Sequence, residues 1–267
     1  MVEGGRRRSK AVEGRRWSKA VRSVLILLFL LGAGSVLAQR RRNSDALPNA
    51  AYDGKFTFLR IRYDPGSGGF GDGTFGGRDP KWNHDYPRAE LHFSKILKEL
   101  SLVQAYLGGG NVLMADDPEL FKYPIAYISE PGFWTVNEKE AEALRNYLLK
   151  GGFLIFDDFE GNHWYNFERQ MRLVLPNARL VRLDASHPIF DSFFRIESLE
   201  FVSYRGVSEF WGIFEDNDPA KRLLAMVNYN SDIAEYWEWS DTDFAPIELT
   251  NEAYKLGVNY VIYAMTH

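Results

Sequence analysis

The sequence predicts an α/β protein built on a mostly parallel, doubly wound sheet. Short apolar runs of the length of buried strands alternate along the chain with longer segments whose apolar residues recur at helical spacing. The clearest unit is a helix that stops at Gly151-Gly152 and is followed directly by an apolar strand over 153–156. No second boundary interrupts the alternation, so a single domain over residues 53–267 is expected.

Local signals define each element of this fold. The apolar runs predict strands over residues 56–63, 111–115, 125–128, 153–156, 179–183, 210–214 and 223–227. The apolar stripes predict helices over residues 85–100, 137–150, 163–175 and 253–264. Asp85 is expected to cap the first helix, with Pro87 in its first turn. Asn137 and Glu140 form the cap pair of the second helix.

Charge and cysteine content exclude several functions. The chain has a net charge of −4, but residues 1–22 carry eight of its 32 basic side chains. Removal of residues 1–38 would leave 24 basic and 34 acidic side chains, and this net charge of −10 repels phosphate backbones and anionic membranes. Nucleic acid is therefore not an expected partner. The absence of cysteine excludes disulfides, thiolate metal sites, cysteine nucleophiles and a lipoprotein anchor.

The N-terminal region indicates export. A basic start precedes the apolar segment 24–38, which is shorter than the roughly 20 residues that span a membrane. Small residues stand at the two positions that a signal peptidase reads before residue 39, so residues 1–38 are expected to be a signal peptide. The alternative is an uncleaved membrane anchor formed by residues 24–38. In both cases residues 39–52 are a linker, and the body is periplasmic or otherwise extracytoplasmic.

Three segments carry a resemblance to a known family. They are residues 56–63 (FTFLRIRY), residues 82–90 (WNHDYPRAE) and residues 147–159 (YLLKGGFLIFDDF). With similar stretches extending to the C-terminus, they resemble the bacterial domain of unknown function 4159 family, which has no assigned activity. The resemblance implies the fold of the class I glutamine amidotransferases, a flavodoxin-like three-layer sandwich. Those enzymes require a cysteine thiolate, so their reaction is excluded for this chain.

Polar side chains at the carboxyl ends of the expected strands form the candidate site, because ligands of open parallel sheets bind at that edge. The candidate ligand-binding residues are Arg62, Tyr63, Asp85, Asp116, Glu130 and Glu160. Asp157, Asp158 and His187 are the candidate acid–base catalysts. Asp157, Asp158 and His163 are candidate ligands of a divalent metal, the one cofactor that these residues indicate.

A structural role is the alternative for the same residues. Adjacent residues of a strand point to opposite faces, so Asp157 and Asp158 both enter the cleft only if the chain turns sharply at Asp158. In the structural alternative, Asp158 or Asn162 caps the next helix and Asp157 accepts backbone hydrogen bonds. His187 precedes a proline in an extended turn, where a histidine more often satisfies neighbouring backbone groups than acts as a base.

The loop before the first helix combines glycines with a polar and aromatic patch. Residues 66–77 match the dinucleotide-binding glycine pattern, but no helix opens directly after them, so the loop is expected to be a lid or an edge loop. The patch that follows consists of Trp82, His84, Asp85, Tyr86 and Glu90. It surrounds a helix start, where an anion could bind, but Asp85 would compete for that position.

Two functions stay open at this point. The first is a noncatalytic binding or assembly module of the cell envelope with an envelope protein as partner, because the chain shows no complete catalytic set. The second is a metal- or carboxylate-dependent hydrolase acting on envelope sugars or a related small substrate. The acidic strand ends and the abundance of rings, with 19 Phe, 14 Tyr and 7 Trp, favour this second function. A tight cluster of Asp157, Asp158, His163 or His187 around an enclosed pocket would favour the hydrolase. Splayed, capped side chains together with an exposed apolar patch would favour the binding module.

Overall fold

A seven-stranded sheet is the middle layer of the computed structural model, which describes residues 46–65, 80–203 and 206–267. The strands are β1 (Leu59–Arg62), β2 (Asn111–Met114), β3 (Ile125–Ser129), β4 (Phe153–Asp157), β5 (Leu180–Arg182), β6 (Val202–Ser203), β7 (Gly206–Val207), β8 (Glu209–Phe214) and β9 (Leu223–Tyr229). The sheet has the order β2-β1-β3-β4-β9-β8-β5, and β6 pairs with β7 in a separate hairpin. The predicted α/β class is confirmed.

The sheet is mixed, because its last two pairings are antiparallel. Strands β2, β1, β3, β4 and β9 run parallel, whereas β8 is antiparallel to β9 and β5 is antiparallel to β8. Only residues 215–222 connect β8 to β9. A parallel pair needs a crossover of about a dozen residues or more, so this short connection can form only an antiparallel hairpin. The doubly wound part of the sheet is therefore its first five strands.

Five α-helices lie within the described residues, and four of them follow the signals of the sequence closely. The five are α1 (Arg88–Leu100), α2 (Glu138–Leu149), α3 (His163–Val174), α4 (Ile233–Glu238) and α5 (Ile247–Thr266). The side chain of Asn137 accepts a hydrogen bond from the backbone N–H of Glu140, and the two residues form the predicted capping box of α2. Gly151 follows the end of α2 with a φ of 113°, which glycine adopts without steric cost. The short helix α4 was not predicted.

Helices cover both faces of the sheet and enclose an aromatic core. On one face, α1, α4 and α5 pack together, and the Trp237 ring lies 4.5 Å from the Phe93 ring. Gly257 of α5 lies against both rings, where a Cβ atom would approach them to within 2.5 and 2.6 Å. This contact accounts for a glycine inside a buried helix, despite its poor helix propensity. On the other face, Phe167 of α3 packs against Phe156 of β4 at 4.9 Å.

The chain before β1 differs from the expected linker. The Asn49 side chain donates to the carbonyl oxygen of Val112 and accepts from the Val112 N–H, both at 2.8 Å. It thereby satisfies backbone groups of β2, the edge strand of the sheet. Strand β1 is also shorter than predicted, because Phe56 makes only an isolated bridge, to Ala105. The compact unit of the body accordingly begins at Leu47 and continues to His267.

Several sequence predictions concern residues that the structure does not describe. The expected signal peptide over 1–38, the linker residues 39–45 and the glycine loop 66–77 lie outside the described residues. Within the described ranges, no helix has both the length and the apolar character needed to cross a membrane.

Candidate functional site

Five ionisable side chains converge at the carboxyl ends of the parallel strands. They are His84 and Asp85 from the loop before α1, Glu130 directly after β3, Asp158 directly after β4, and Asp232 after β9. We call this group the carboxyl-edge cluster. It lies where the strand order reverses, with β2 on one side of β1 and β3 on the other, and this switch point is where doubly wound sheets bind their ligands.

His84 lies between two carboxylates of the cluster. Its Nδ1 atom is 2.7 Å from Oε1 of Glu130 and 3.5 Å from Oδ2 of Asp158. Burial lowers the pKa of His84, but the hydrogen bonds and charges of Asp158 and Glu130 outweigh burial and raise this pKa to about 10. Nζ of Lys81 is also 3.5 Å from Oε1 of Glu130. Glu130 therefore faces both the imidazole of His84 and the ammonium group of Lys81.

Three buried carboxylates lie together on the other side of Asp158. The ligand atoms of Asp85, Asp158 and Asp232 are within 4.8 Å of one another, and the three residues are 9%, 1% and 2% exposed. Burial, together with repulsion from Asp232 and Asp158, raises the pKa of Asp85 well above its ordinary value, although Arg60 opposes the shift. Oδ2 of Asp85 is buried and has no hydrogen-bond partner among the described residues.

Several residues in and beside the cluster have a left-handed backbone conformation. Four of the seven described non-glycine residues with positive φ are Lys81 (62°), Asp85 (64°), Glu130 (47°) and Asp158 (64°). Aspartate tolerates this conformation, but lysine and glutamate rarely adopt it. Such strained residues concentrate at active sites and ligand clamps, where the surrounding structure enforces them. The turn at Asp158 is the sharp turn that brings its side chain into the cleft.

A fully buried ion pair fixes the loop that carries His84 and Asp85. Nε of Arg60 donates to Oε1 of Glu90 at 2.6 Å, and its Nη1 donates to the carbonyl oxygens of Trp82 at 3.1 Å and His84 at 2.8 Å. Burial opposes the charge of Arg60, but Glu90, Tyr127 and Asp85 keep the pKa of this guanidinium above its ordinary value. Arg60 thus joins β1, α1 and the loop.

Asp157 has a structural role beneath the cluster. Its Oδ2 accepts hydrogen bonds from Oη of Tyr127 at 2.9 Å, the N–H of Ile233 at 2.9 Å and the N–H of Ala234 at 3.2 Å. The last two are the first N–H groups of α4, which have no partner inside the helix. Burial and the charge of Asp232 raise the pKa of Asp157 to about 7, against the effect of these hydrogen bonds.

The predicted metal ligands do not form one group. Among the described residues, the sets of ligand atoms within 4.8 Å of one another that include Asp158 contain neither Asp157 nor His163. The His163 ring packs on Phe133 instead, with ring centroids 4.7 Å apart. Asp157 is the last residue of β4, whereas Asp158 lies in the turn that follows. The two side chains therefore point in different directions, and that of Asp157 points toward α4.

The predicted ligand-binding residues divide between the cluster and its surroundings. Glu130 and Asp85 belong to the cluster, and Oη of Tyr63 supports it at 2.8 Å from the Glu130 carbonyl oxygen. The Arg62 guanidinium lies 5.4 Å from the centre of the Trp82 ring. Asp116 and Glu160 are outside the cluster: Asp116 forms an ion pair with Lys139 near the surface, at 2.8 Å, and Glu160 is exposed.

The predicted cap of α1 is wrong. The helix begins after Pro87 without any side-chain cap, and Asp85 contributes only its backbone carbonyl, which accepts from the N–H of Ala89 at 2.9 Å. The left-handed turn at Asp85 directs its carboxylate into the cluster instead. The contributions of His84 and Asp232 were not predicted. Asp232 would have joined the strand-end candidates if β9 had been expected to reach Tyr229.

His187 lies away from the cluster, contrary to its predicted position at the carboxyl edge. Its Nδ1 accepts from the N–H of Ile189 at 3.3 Å and caps a short 3₁₀ helix over Pro188–Asp191. Its ring packs against Tyr263, which in turn contacts Phe153 at the amino end of β4. The loop after β5 therefore returns across the sheet before it reaches His187, a path that no local pattern specifies.

The half-buried position of His187 predicts a pH-dependent contribution to stability. Burial lowers its pKa, with Asp184 opposing the shift, so the unfolded chain binds this proton more readily than the folded protein. The stabilising contribution of neutral His187 is complete above the ordinary histidine pKa of about 6.5. It is lost as the pH falls through the lowered pKa of His187 in the folded protein. His187→Asn keeps a cap acceptor, and we expect it to lose less unfolding free energy than wild type between about pH 7.5 and 5.5. Urea unfolding at both pH values measures the difference, and equal losses would contradict it.

Comparison with protein families agrees with the resemblance found in the sequence. The model of the family described as Domain of unknown function (DUF4159) matches residues 57–265, which include all five residues of the carboxyl-edge cluster. No curated protein matches the chain. Because the match covers well over half of the sequence, the chain belongs to the DUF4159 family.

Proposed function

We propose that this chain is an exported protein of the cell envelope that binds a divalent cation at its carboxyl-edge cluster and uses it to hydrolyse a small substrate. The observation that carries this proposal is the convergence of His84, Glu130 and Asp158, whose ligand atoms lie within 4.8 Å of one another. Metal–ligand distances of about 2.0–2.3 Å allow one ion to join atoms at such separations after small side-chain shifts. One imidazole and two carboxylates suit zinc, manganese or iron.

The contacts around these ligands support a hydrolytic role. A bound cation would lower the pKa of a coordinated water and supply hydroxide near neutral pH. Oγ of Ser129 donates to Oδ2 of Asp158 at 3.3 Å, which orients the carboxylate as an outer-shell partner does in metal sites. Nζ of Lys81, at 3.5 Å from Glu130, is a second cation that can stabilise negative charge developing on a substrate.

The proposal includes the class I glutamine amidotransferase-like fold and an envelope substrate. The order of the parallel strands and the sharp turns after β3 and β4 support the fold. At those turns the chain has Glu130 and Asp158, and it has no cysteine, so cation chemistry would replace thiolate chemistry. The apolar segment 24–38 supports export. The half-buried Phe133 ring, 4.9 Å from Nζ of Lys81, offers a surface for a sugar.

Chelator-sensitive hydrolysis tests this function. The purified protein is assayed against acetylated sugars and nitrophenyl glycosides before and after treatment with EDTA, and again after addition of Mn²⁺ or Zn²⁺. We expect the cation to restore activity in wild type and in Asp116→Asn, which removes an acid outside the cluster, but not in Asp158→Asn. Activity that survives both EDTA and Asp158→Asn would contradict the proposal.

A noncatalytic binding module is the second candidate, and one observation favours it. A groove of about 640 Å³ runs between α1 and α5, and its apolar rim includes the exposed side chains of Leu100 and Ile247. Exposed apolar rims of this kind mark protein interaction surfaces. If the protein binds no cation, and Ile247→Glu abolishes association with an envelope protein that wild type retains, the binding function replaces the hydrolase.

A further inference from the structure

We infer that the carboxyl-edge cluster is a two-cation site, in which Asp158 bridges a first ion held by His84 and Glu130 and a second ion held by Asp85 and Asp232. This inference rests on the proposed function and deepens it. It adds a second binding position, a bridging ligand and a class of reaction. The class is in-line displacement at phosphate, or hydrolysis of an ester or amide, in which two ions hold the attacking and leaving oxygens.

The arrangement of the ligand atoms is the first argument. Asp158 belongs both to the set with His84 and Glu130 and to the set with Asp85 and Asp232, and each set keeps its ligand atoms within 4.8 Å. A carboxylate has two oxygens and can coordinate a different ion with each. Ions that share a bridging ligand in two-metal sites lie about 3.5–4 Å apart, a spacing that neighbouring sets with one common carboxylate can provide.

An unsatisfied buried oxygen is the second, independent argument. Asp85 is 91% buried, since its exposure is 9%, and its Oδ2 has no hydrogen-bond partner among the described residues. An unpaired buried carboxylate oxygen is costly, because no hydrogen bond compensates its desolvation. The Asp85 carboxylate has ligand atoms within 4.8 Å of those of Asp158 and Asp232 in one set, and of Glu235 and Glu238 in another, so a cation between Asp85, Asp158 and Asp232 would satisfy it.

The charges around the second set also favour a cation. Asp85, Asp157, Asp158 and Asp232 are all at least nine-tenths buried within this region, and the nearby guanidinium of Arg60 is already bonded to Glu90. His84 is closer to Glu130, at 2.7 Å, than to Asp158, at 3.5 Å. Asp232 caps α4 through Oδ1, which accepts from the N–H of Glu235 at 3.1 Å, so its carboxylate is fixed in orientation toward the set.

Cation stoichiometry tests the inference. Metal-free full-length protein is titrated with Mn²⁺, binding is followed by calorimetry, and the electron paramagnetic resonance spectrum is recorded at each addition. We expect two ions per chain in wild type, with an exchange-coupled signal appearing above one equivalent. Asp85→Asn and Asp232→Asn should each bind one ion without the coupled signal. Asparagine suits these variants, because it tolerates the left-handed backbone at residue 85 and preserves the cap at residue 232.

The outcomes separate this inference from the proposed function. One ion in wild type, unchanged by Asp85→Asn, would overturn the two-cation site and leave the first site intact. No bound ion in wild type would overturn both. Circular dichroism and urea unfolding establish that each variant is folded, and the spectrum of wild type decides the question even if a variant does not fold.

Discussion

Arg60→Met is expected to lower the free energy of unfolding by about 3–5 kcal/mol, because it leaves Glu90 charged, buried and without its partner. Both side chains of this ion pair are fully buried, and their contact is 2.6 Å. The variant also removes the hydrogen bonds to the carbonyl oxygens of Trp82 and His84, so the loop of the carboxyl-edge cluster loses its support. Weaker cation binding should accompany the loss of stability. Urea unfolding and Mn²⁺ titration measure the two effects.

Two control variants show which contact accounts for the loss of unfolding free energy in Arg60→Met. The double variant Arg60→Met with Glu90→Leu removes the whole pair, and we expect it to recover most of the stability, because paired burial of charge brings little net gain over apolar packing. Arg172→Met breaks an exposed pair with Glu168 on α3 and should change stability little. A double variant as unstable as Arg60→Met would show that the loop contacts, and not the unpaired Glu90, dominate the loss.

Asp157 and Asp158 are adjacent, yet their substitution should have opposite effects. Asp157→Ala leaves the donors of Tyr127, Ile233 and Ala234 without an acceptor, and at about 1–3 kcal/mol for an unsatisfied buried group we expect a total loss of about 2–4 kcal/mol. Asp158→Asn removes one of several mutually repelling carboxylates and retains a residue that tolerates a φ of 64°. The cation-free variant should be as stable as wild type or more stable.

Unfolding and binding measured on the same samples separate the two roles. Asp157→Ala should be unstable but should still bind the cation once folded, and Asp157→Asn should recover much of the stability, because the amide oxygen can accept the same bonds. Asp158→Asn should be stable and should fail to bind. If Asp158→Asn were strongly destabilised without any cation present, Asp158 would be a structural residue and the site would lose its central ligand.

The fold was largely predictable from local patterns, and the reasons are visible at particular residues. The capping box of Asn137 and Glu140 and the stop at Gly151 are signals contained within one turn of chain, and they defined α2 and β4 correctly. The reversal of β8 was not predicted, because the apolar run over 210–214 looks the same in either strand direction. The helix α4 was missed because six residues are too few to display a helical period.

The site was predictable only where a residue directly follows a strand. That rule selected Glu130 and Asp158, since β3 and β4 had clear ends. It could not select His84, which reaches the cluster through a loop that Arg60 fixes from below. It also assigned Asp157 to the cleft, because the left-handed turn that separates the neighbouring side chains is a tertiary feature. The sequence patterns located the strand ends, but they did not specify the direction of the side chains at the turns, which was needed to predict the site residues.

The most direct test of the central claim is a calorimetric titration of the metal-free protein with Mn²⁺, beside Asp158→Asn and the matched control Asp116→Asn. We expect wild type and Asp116→Asn to bind with the same affinity, and free cation at about 100 times the dissociation constant to stabilise them by about 2.7 kcal/mol for each occupied site. Asp158→Asn should show neither binding heat nor stabilisation. Equal binding by all three proteins, or none by wild type, would contradict a cation site at the carboxyl-edge cluster.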